Sequence, residues 1–199
     1  NADYLMDHFK NIFDGEQIPI NITEILNEIE PKNVELELDE PPTIEELEDA
    51  IKNSQPDKAP GPSSISPRAF KNLSELAKGK LLKALQKGFT GEDNPEEFQQ
   101  ASLKILHKKG EHSNPSNWRG IALKEASAKL LSSIINQRLL KIIGIHGVEN
   151  QYGAQKGKGC KDGIFALKAA LETRRLHNQE TWVLFADLVK AYDTANHEL

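Results

Sequence analysis

Apolar residues in this chain recur in two rhythms, and the first is helical. Ile44, Leu47 and Ile51 lie three and four residues apart and form one stripe of a helix. Thr43-Ile-Glu-Glu46 opens it with capping-box spacing: the Thr43 hydroxyl can accept the Glu46 amide while the Glu46 carboxylate reaches back. Leu81, Leu85 and Phe89 predict a helix over 75–89, after a shorter one at 67–73. Leu130, Ile134 and Leu139 predict a long helix over 124–143, with Gly144 as its stop. A further helix is expected at 162–176, and a short amphipathic one within 4–13. Asp57-Lys-Ala-Pro-Gly-Pro62 cannot continue a helix, because proline fixes φ and lacks a donor, so it reads as a tight, rigid loop.

The second rhythm belongs to strands. Leu103 and Ile105 alternate with Lys104 and Leu106, and Trp118-Arg-Gly-Ile-Ala-Leu123 reads as the returning arm. The polar run 108–115 between them predicts a hairpin with lysines at its tip. Residues 182–186 are apolar or aromatic with no alternation, which predicts a strand buried on both faces, and Asp187 stands where that run stops. A carboxylate so placed is held at a sheet edge, within reach of a metal ion or substrate.

A length of 199 residues suits one domain, here expected behind an acidic, loosely structured lead-in at 1–42 closed by Pro41-Pro42. No run approaches the roughly 18 apolar residues of a membrane span, and no signal-peptide pattern opens the chain. Cys160 is the single cysteine, so there is no disulfide framework. The expected setting is a reducing one: nucleus or cytoplasm, with no membrane partner and no secretion. The first residue is Asn1 rather than Met, and the chain is expected to be a segment of a longer one.

The net charge of −5 conceals an asymmetry. Residues 1–50 carry two lysines against fifteen carboxylates, whereas 101–175 carry fourteen lysines and arginines against five carboxylates. A basic segment behind an acidic lead keeps nucleic acid open as a partner; lysines that merely solubilise helices give the same count.

Three places carry candidate chemistry. Asp187 and Asp193 are six residues apart across a strand end and turn, enough to anchor one divalent cation but not to hold two. Lys108, Lys109 and Arg119 put fixed cations on the hairpin, the arginine offering bidentate recognition of phosphate and the lysines point charges. That set matches a triphosphate, and a solvated turn would look the same. Gly153–Gly159 is a basic glycine-rich loop with neither P-loop nor dinucleotide-fold spacing. His107, His112 and His146 lack partners at zinc spacing, and no serine lies in a G-x-S-x-G elbow. Trp118 and Phe165 fit core positions better than base-stacking ones.

The order of these segments is more specific than any one of them. Lys58-Ala-Pro-Gly-Pro62 is followed by Leu106-His-Lys-Lys-Gly110, then by Asn117-Trp-Arg-Gly-Ile-Ala-Leu123 with Lys129 and Arg138-Leu139. Gln151-Tyr-Gly-Ala-Gln-Lys-Gly157 with Asp162 comes next, and Phe185-Ala-Asp-Leu-Val-Lys-Ala-Tyr-Asp193 last. This succession, over about 43–199, closely resembles the N-terminal half of the reverse transcriptases of non-LTR retrotransposons, and more distantly those of group II introns. The resemblance implies an α+β fold: right-hand polymerase fingers at 43–175 and the start of the palm at 176–199, its first strand at 181–187.

It also implies roles. Asp187, with the backbone carbonyl of Leu188, would hold two Mg2+ ions. Ala191 and Tyr192 would border the incoming nucleotide, the tyrosine obstructing a 2′-hydroxyl. Arg119 and Lys108 or Lys109 would lie on the triphosphate, and Asp193 would order the turn without binding metal. Lys156, Lys158 and Lys161 would meet nucleic acid. The implied partners are an RNA template, a DNA primer and deoxynucleoside triphosphates, joined in template-directed nucleotidyl transfer.

Departures from the family pattern are Ser63, Gly120 and the stretch Gly159-Cys160-Lys161. The family's second metal-binding motif, x-Asp-Asp, and its thumb are expected beyond Leu199, so these 199 residues by themselves are expected to be inactive. Two other readings stay open: a domesticated module that holds nucleic acid without chemistry, and a metal-dependent phosphohydrolase built around Asp187.

Overall fold

The computed structural model describes residues 2–13, 23, 27, 38–93, 95–155 and 157–188. In chain order these form α1 (Ala2–Phe13), α2 (Ile44–Asn53), α3 (Pro67–Phe70), α4 (Glu75–Thr90), α5 (Glu96–Gln99), β1 (Ala101–His107), a 3-10 turn (Pro115–Asn117), β2 (Trp118–Lys124), α6 (Ala126–His146) and α7 (Cys160–Leu176). Helix and strand are thus mixed, with β1 and β2 as a two-stranded antiparallel sheet. The chain packs as two compact bodies, 35–145 and 1–34 with 146–199.

Helix α2 of the first body starts where a capping box directs it. The Glu46 amide donates to Thr43 Oγ1 at 3.3 Å, and the Thr43 amide donates to Glu46 Oε2 at 3.0 Å. Leu47 and Ile51 then bury against Leu85 of α4 and Leu130 and Ile134 of α6, with Ile44 packed at the edge. The apolar stripes read from sequence therefore meet in one core, with one change on α6. Leu139 is exposed, and the next buried position of the 130, 134 series is Arg138. A step of four keeps a side chain on the same face, whereas 139 lies a further 100° around the helix.

Arg138 is tolerated there because each of its nitrogens finds acceptors. Nε and Nη2 each donate to the Glu46 carboxylate at 2.7 Å, and Nη1 donates to the carbonyls of Leu38 and Glu40 at 3.1 and 2.6 Å. Its guanidinium also lies 5.6 Å from the Phe89 ring centroid. One side chain thus fastens the segment before α2 to both α2 and α6.

Helix α6 runs through Gly144 to His146, past the expected stop. Glycine costs about 1 kcal/mol inside a helix, which does not end one unless the next residues leave helical geometry. Helix α3 is shorter than expected, ending at Phe70, and α7 begins two residues early, at Cys160.

In the second body, the Gly159 amide donates to Asp162 Oδ2 at 2.7 Å at the start of α7. At its end, Arg174 donates to Thr181 Oγ1 at 2.7 Å and to the Glu180 carbonyl at 3.0 Å. The segment that follows departs from expectation: residues 181–188 have no regular secondary structure, and Trp182, Leu184 and Phe185 are 81–91% exposed. A strand exists only by pairing its amides and carbonyls with a neighbour, and among the described residues β1 and β2 pair only with each other. The apolar pattern supplies the side chains of a buried strand; its ladder partner is not among the described residues.

Candidate nucleotide and nucleic-acid site

The hairpin provides the most ordered of the expected sites. Its register pairs Leu106 with Arg119 and His107 with Trp118, and the Lys108 amide continues the ladder to the Asn117 carbonyl at 2.8 Å. Strand alternation puts Lys104, Leu106, Arg119 and Ile121 on one face, and Ile105, His107, Trp118 and Gly120 on the other.

The second face is braced by rings. His107 and His112 stack with centroids 3.9 Å apart, and the Trp118 ring meets both edge-on at 5.0 and 5.5 Å. Trp118 Nε1 also donates to the His112 carbonyl at 3.0 Å. Gly110 adopts φ +84°, and a Cβ there would sit 2.6 Å from Nδ2 of the Asn117 side-chain amide, so the turn is closed against its own return. That amide donates in turn to the Glu111 carbonyl at 2.9 Å.

The result is a rigid tip with Lys108, Lys109 and Arg119 all exposed around it. Fixed, solvated cations with unspent donors are what recognition of a polyanion requires. Sequence reading treated the histidines only as zinc candidates and missed them as a brace. The hairpin register, which places His107 opposite Trp118, was the available signal.

Asp187 and Leu188 are exposed and lie in the stretch without regular structure. No group of three or more His, Cys, Asp or Glu side chains converges among the described residues. Asp187 therefore offers one carboxylate where a two-ion centre needs several, and the described residues do not on their own fit such a centre.

Lys158 donates to the Glu149 carbonyl at 2.7 Å and lies over the Tyr152 ring, while Lys161 is exposed in the first turn of α7. Lys156, Ala191, Tyr192 and Asp193 lie outside the described residues. The structure thus brings together the three hairpin cations and leaves Asp187, Lys158 and Lys161 in the other body.

A second ordered element stands in the first body. The loop after α2 is fastened by Glu125, which is buried: it accepts the Ser63 amide at 2.6 Å and the Ser63 hydroxyl at 2.5 Å. Gly61 presses so closely that a Cβ would meet the backbone of Lys124 and Glu125 at 2.7 Å. Lys129 donates to the Ala59 carbonyl at 3.4 Å. The loop that proline and glycine predicted is therefore docked onto the end of β2 and the start of α6.

A family model described as "Reverse transcriptase (RNA-dependent DNA polymerase)" matches residues 106–199. A "Retrovirus-related Pol polyprotein from type-1 retrotransposable element R2" of Popillia japonica is 30% identical over 157 residues, 77% of this chain and 20% of that protein. A "Transposon TX1 uncharacterized 149 kDa protein" of Xenopus laevis is 24% identical over 161 residues, 81% of this chain and 12% of that protein. The chain is thus similar to reverse transcriptases, and over about three quarters of its length to proteins of the non-LTR retrotransposon type.

The chain spans one fifth or less of the length of these relatives. The match to the reverse transcriptase family begins at Leu106, within β1, and takes in the hairpin tip, Arg119 and Asp187. The relatives match 77% and 81% of this chain, which is more than the family model reaches.

Proposed function

We propose that this chain is the fingers, at 43–175, and the first edge of the palm, at 176–199, of an RNA-directed DNA polymerase. The observation that carries the reading is the hairpin: a braced tip with Lys108, Lys109 and Arg119 exposed on it. Its substrates are an RNA template, a DNA primer and deoxynucleoside triphosphates, and its lysines and arginine neutralise the triphosphate. Tyr192, beside Ala191, limits the space at the sugar, Asp193 orders the turn, and Lys156, Lys158 and Lys161 meet the nucleic-acid backbone. Asp187 and the Leu188 carbonyl would hold Mg2+ together with carboxylates elsewhere in the full-length protein, and the metal would supply charge stabilisation for nucleotidyl transfer.

The test uses the full-length protein. Asp187→Ala is expected to abolish primer extension while template affinity stays within about twofold, since this carboxylate serves the metal and makes no phosphate contact. Equal loss of binding and extension would remove the metal role, and wild-type extension by the variant would remove the catalytic one.

A further inference from the structure

The docked loop has a consequence beyond holding its own shape. Between it, α2, α3 and the first turns of α6 lies an open cavity of about 280 Å3. Phe70 and Leu130, which also pack in the core, are among its apolar lining, Asn53 and Ser133 among its polar lining, and Lys58 and Lys129 line it as cations. Among the described residues no carboxylate lines it. Of the acids next to its lining along the chain, Asp57 pairs with Arg68 and Glu125 is taken up by Ser63, while Asp49 faces a neighbouring pocket that shares Ala50, Asn53 and Ser133.

We propose that this cavity takes one unstacked base of a single-stranded nucleic acid, with the flanking phosphodiesters on Lys58 and Lys129. The inference rests on the nucleic-acid reading above but concerns a place separate from the hairpin cations. The volume suits one ring system with its sugar, since pockets for larger ligands run from about 300 to 1,000 Å3. A ring against an aromatic side chain gains stacking whatever its identity, and lining amides and hydroxyls tolerate any base. Two isolated ammonium groups on different elements match singly charged phosphodiesters along a strand better than the concentrated charge of a free triphosphate. Lys129 spends one of its three N–H donors on Ala59 and keeps the others for a ligand. Glu125 and Ser63 are positioning residues here, since they hold the loop that carries Lys58.

The probe is a fluorescent twelve-residue oligouridylate carrying one photoreactive 4-thiouridine, bound to the 199-residue chain. Crosslinks are expected in 67–70 or 130–133. Lys58→Gln with Lys129→Gln should lower the slope of log affinity against log salt by about 1.4, near 0.7 for each phosphate contact on a single strand. Ser133→Phe fills the cavity without touching a charge, and is expected to remove the crosslink while leaving that slope within about 0.3 of wild type. A circular dichroism spectrum matching wild type shows that each variant is folded.

If the oligouridylate binds but crosslinks only outside 67–70 and 130–133, and neither substitution changes binding, the cavity proposal is wrong. If it does not bind at all, the cavity proposal likewise fails, while the triphosphate reading of the hairpin stands, since it concerns a different ligand. If uridine monophosphate at equal nucleotide concentration displaces it, the ligand is a free nucleotide and the strand assignment is overturned.

Discussion

Arg138 and Glu46 form a two-pronged pair across the first body, with Nε and Nη2 each 2.7 Å from a carboxylate oxygen. The same guanidinium takes the carbonyls of Leu38, Glu40 and Pro41. Glu46 is also half of the capping box, so the carboxylate that starts α2 is held by α6. A charge this far from water costs several kcal/mol unless every donor is matched, and removing one partner leaves that cost uncovered.

Arg138→Met is therefore expected to destabilise the chain by about 3 kcal/mol in urea unfolding. Adding Glu46→Gln should cost little more, because the carboxylate has already lost its partner. A coupling energy above about 1 kcal/mol in the double-mutant cycle is the expected sign of the pair, and additive losses would show that the two residues act separately.

Acid should act through the same contact. The hydrogen bond from Arg138 is the main reason the Glu46 carboxyl titrates below its ordinary range, with the Thr43 amide adding to it and partial burial opposing it. A group whose folded pKa is depressed contributes stability that is present above its unfolded value and lost as pH falls through the folded one. The loss is thus expected to begin near pH 4.3, the ordinary glutamate value, and to deepen below it. Glu46→Gln should flatten that part of a plot of unfolding free energy against pH; an unchanged acid limb would assign the loss to other carboxylates.

Gly61 is the tightest point of the docked loop. Because a Cβ there meets the backbone of Lys124 and Glu125 at 2.7 Å, neither side can yield by rotating a side chain. Gly61→Ala is expected to lift the loop at a cost of about 1–3 kcal/mol, and to raise hydrogen exchange at the Ser63 amide, which Glu125 now holds. Slow exchange at Ser63 in the variant would show that the close approach is not needed for docking.

Local signals read from sequence translated well where a residue's neighbours lie close along the chain. The Thr43 capping box, the Pro-Gly loop and the alternating arms of the hairpin all stand as their spacing predicts. What failed was set by distant partners. Arg138 looks like a solvent-facing base until Glu46, 92 residues away, is placed beside it. Glu125 likewise carries no local mark of its bond to Ser63, 62 residues earlier. The run at 182–186 has the composition of a buried strand, yet composition cannot supply the neighbouring ladder that makes one. The family resemblance was legible through the order of the motifs, since each segment alone had an equally good structural reading.

Arg119 gives the sharpest test of the hairpin's proposed role. It lies on a rigid two-stranded frame opposite Leu106, with its side chain exposed. A guanidinium bonding a triphosphate makes charge-assisted contacts worth about 1.5–3 kcal/mol, so Arg119→Ala in the full-length enzyme should raise KM for deoxynucleotides about 10- to 100-fold. Arg119→Lys should recover part of that loss, because the charge returns without the planar fork. Template affinity should stay near wild type in both variants, as the contact is made to the nucleotide. If instead KM holds and template binding falls with a shallower salt dependence, Arg119 tracks the nucleic-acid backbone and the triphosphate assignment passes to the lysines of the tip.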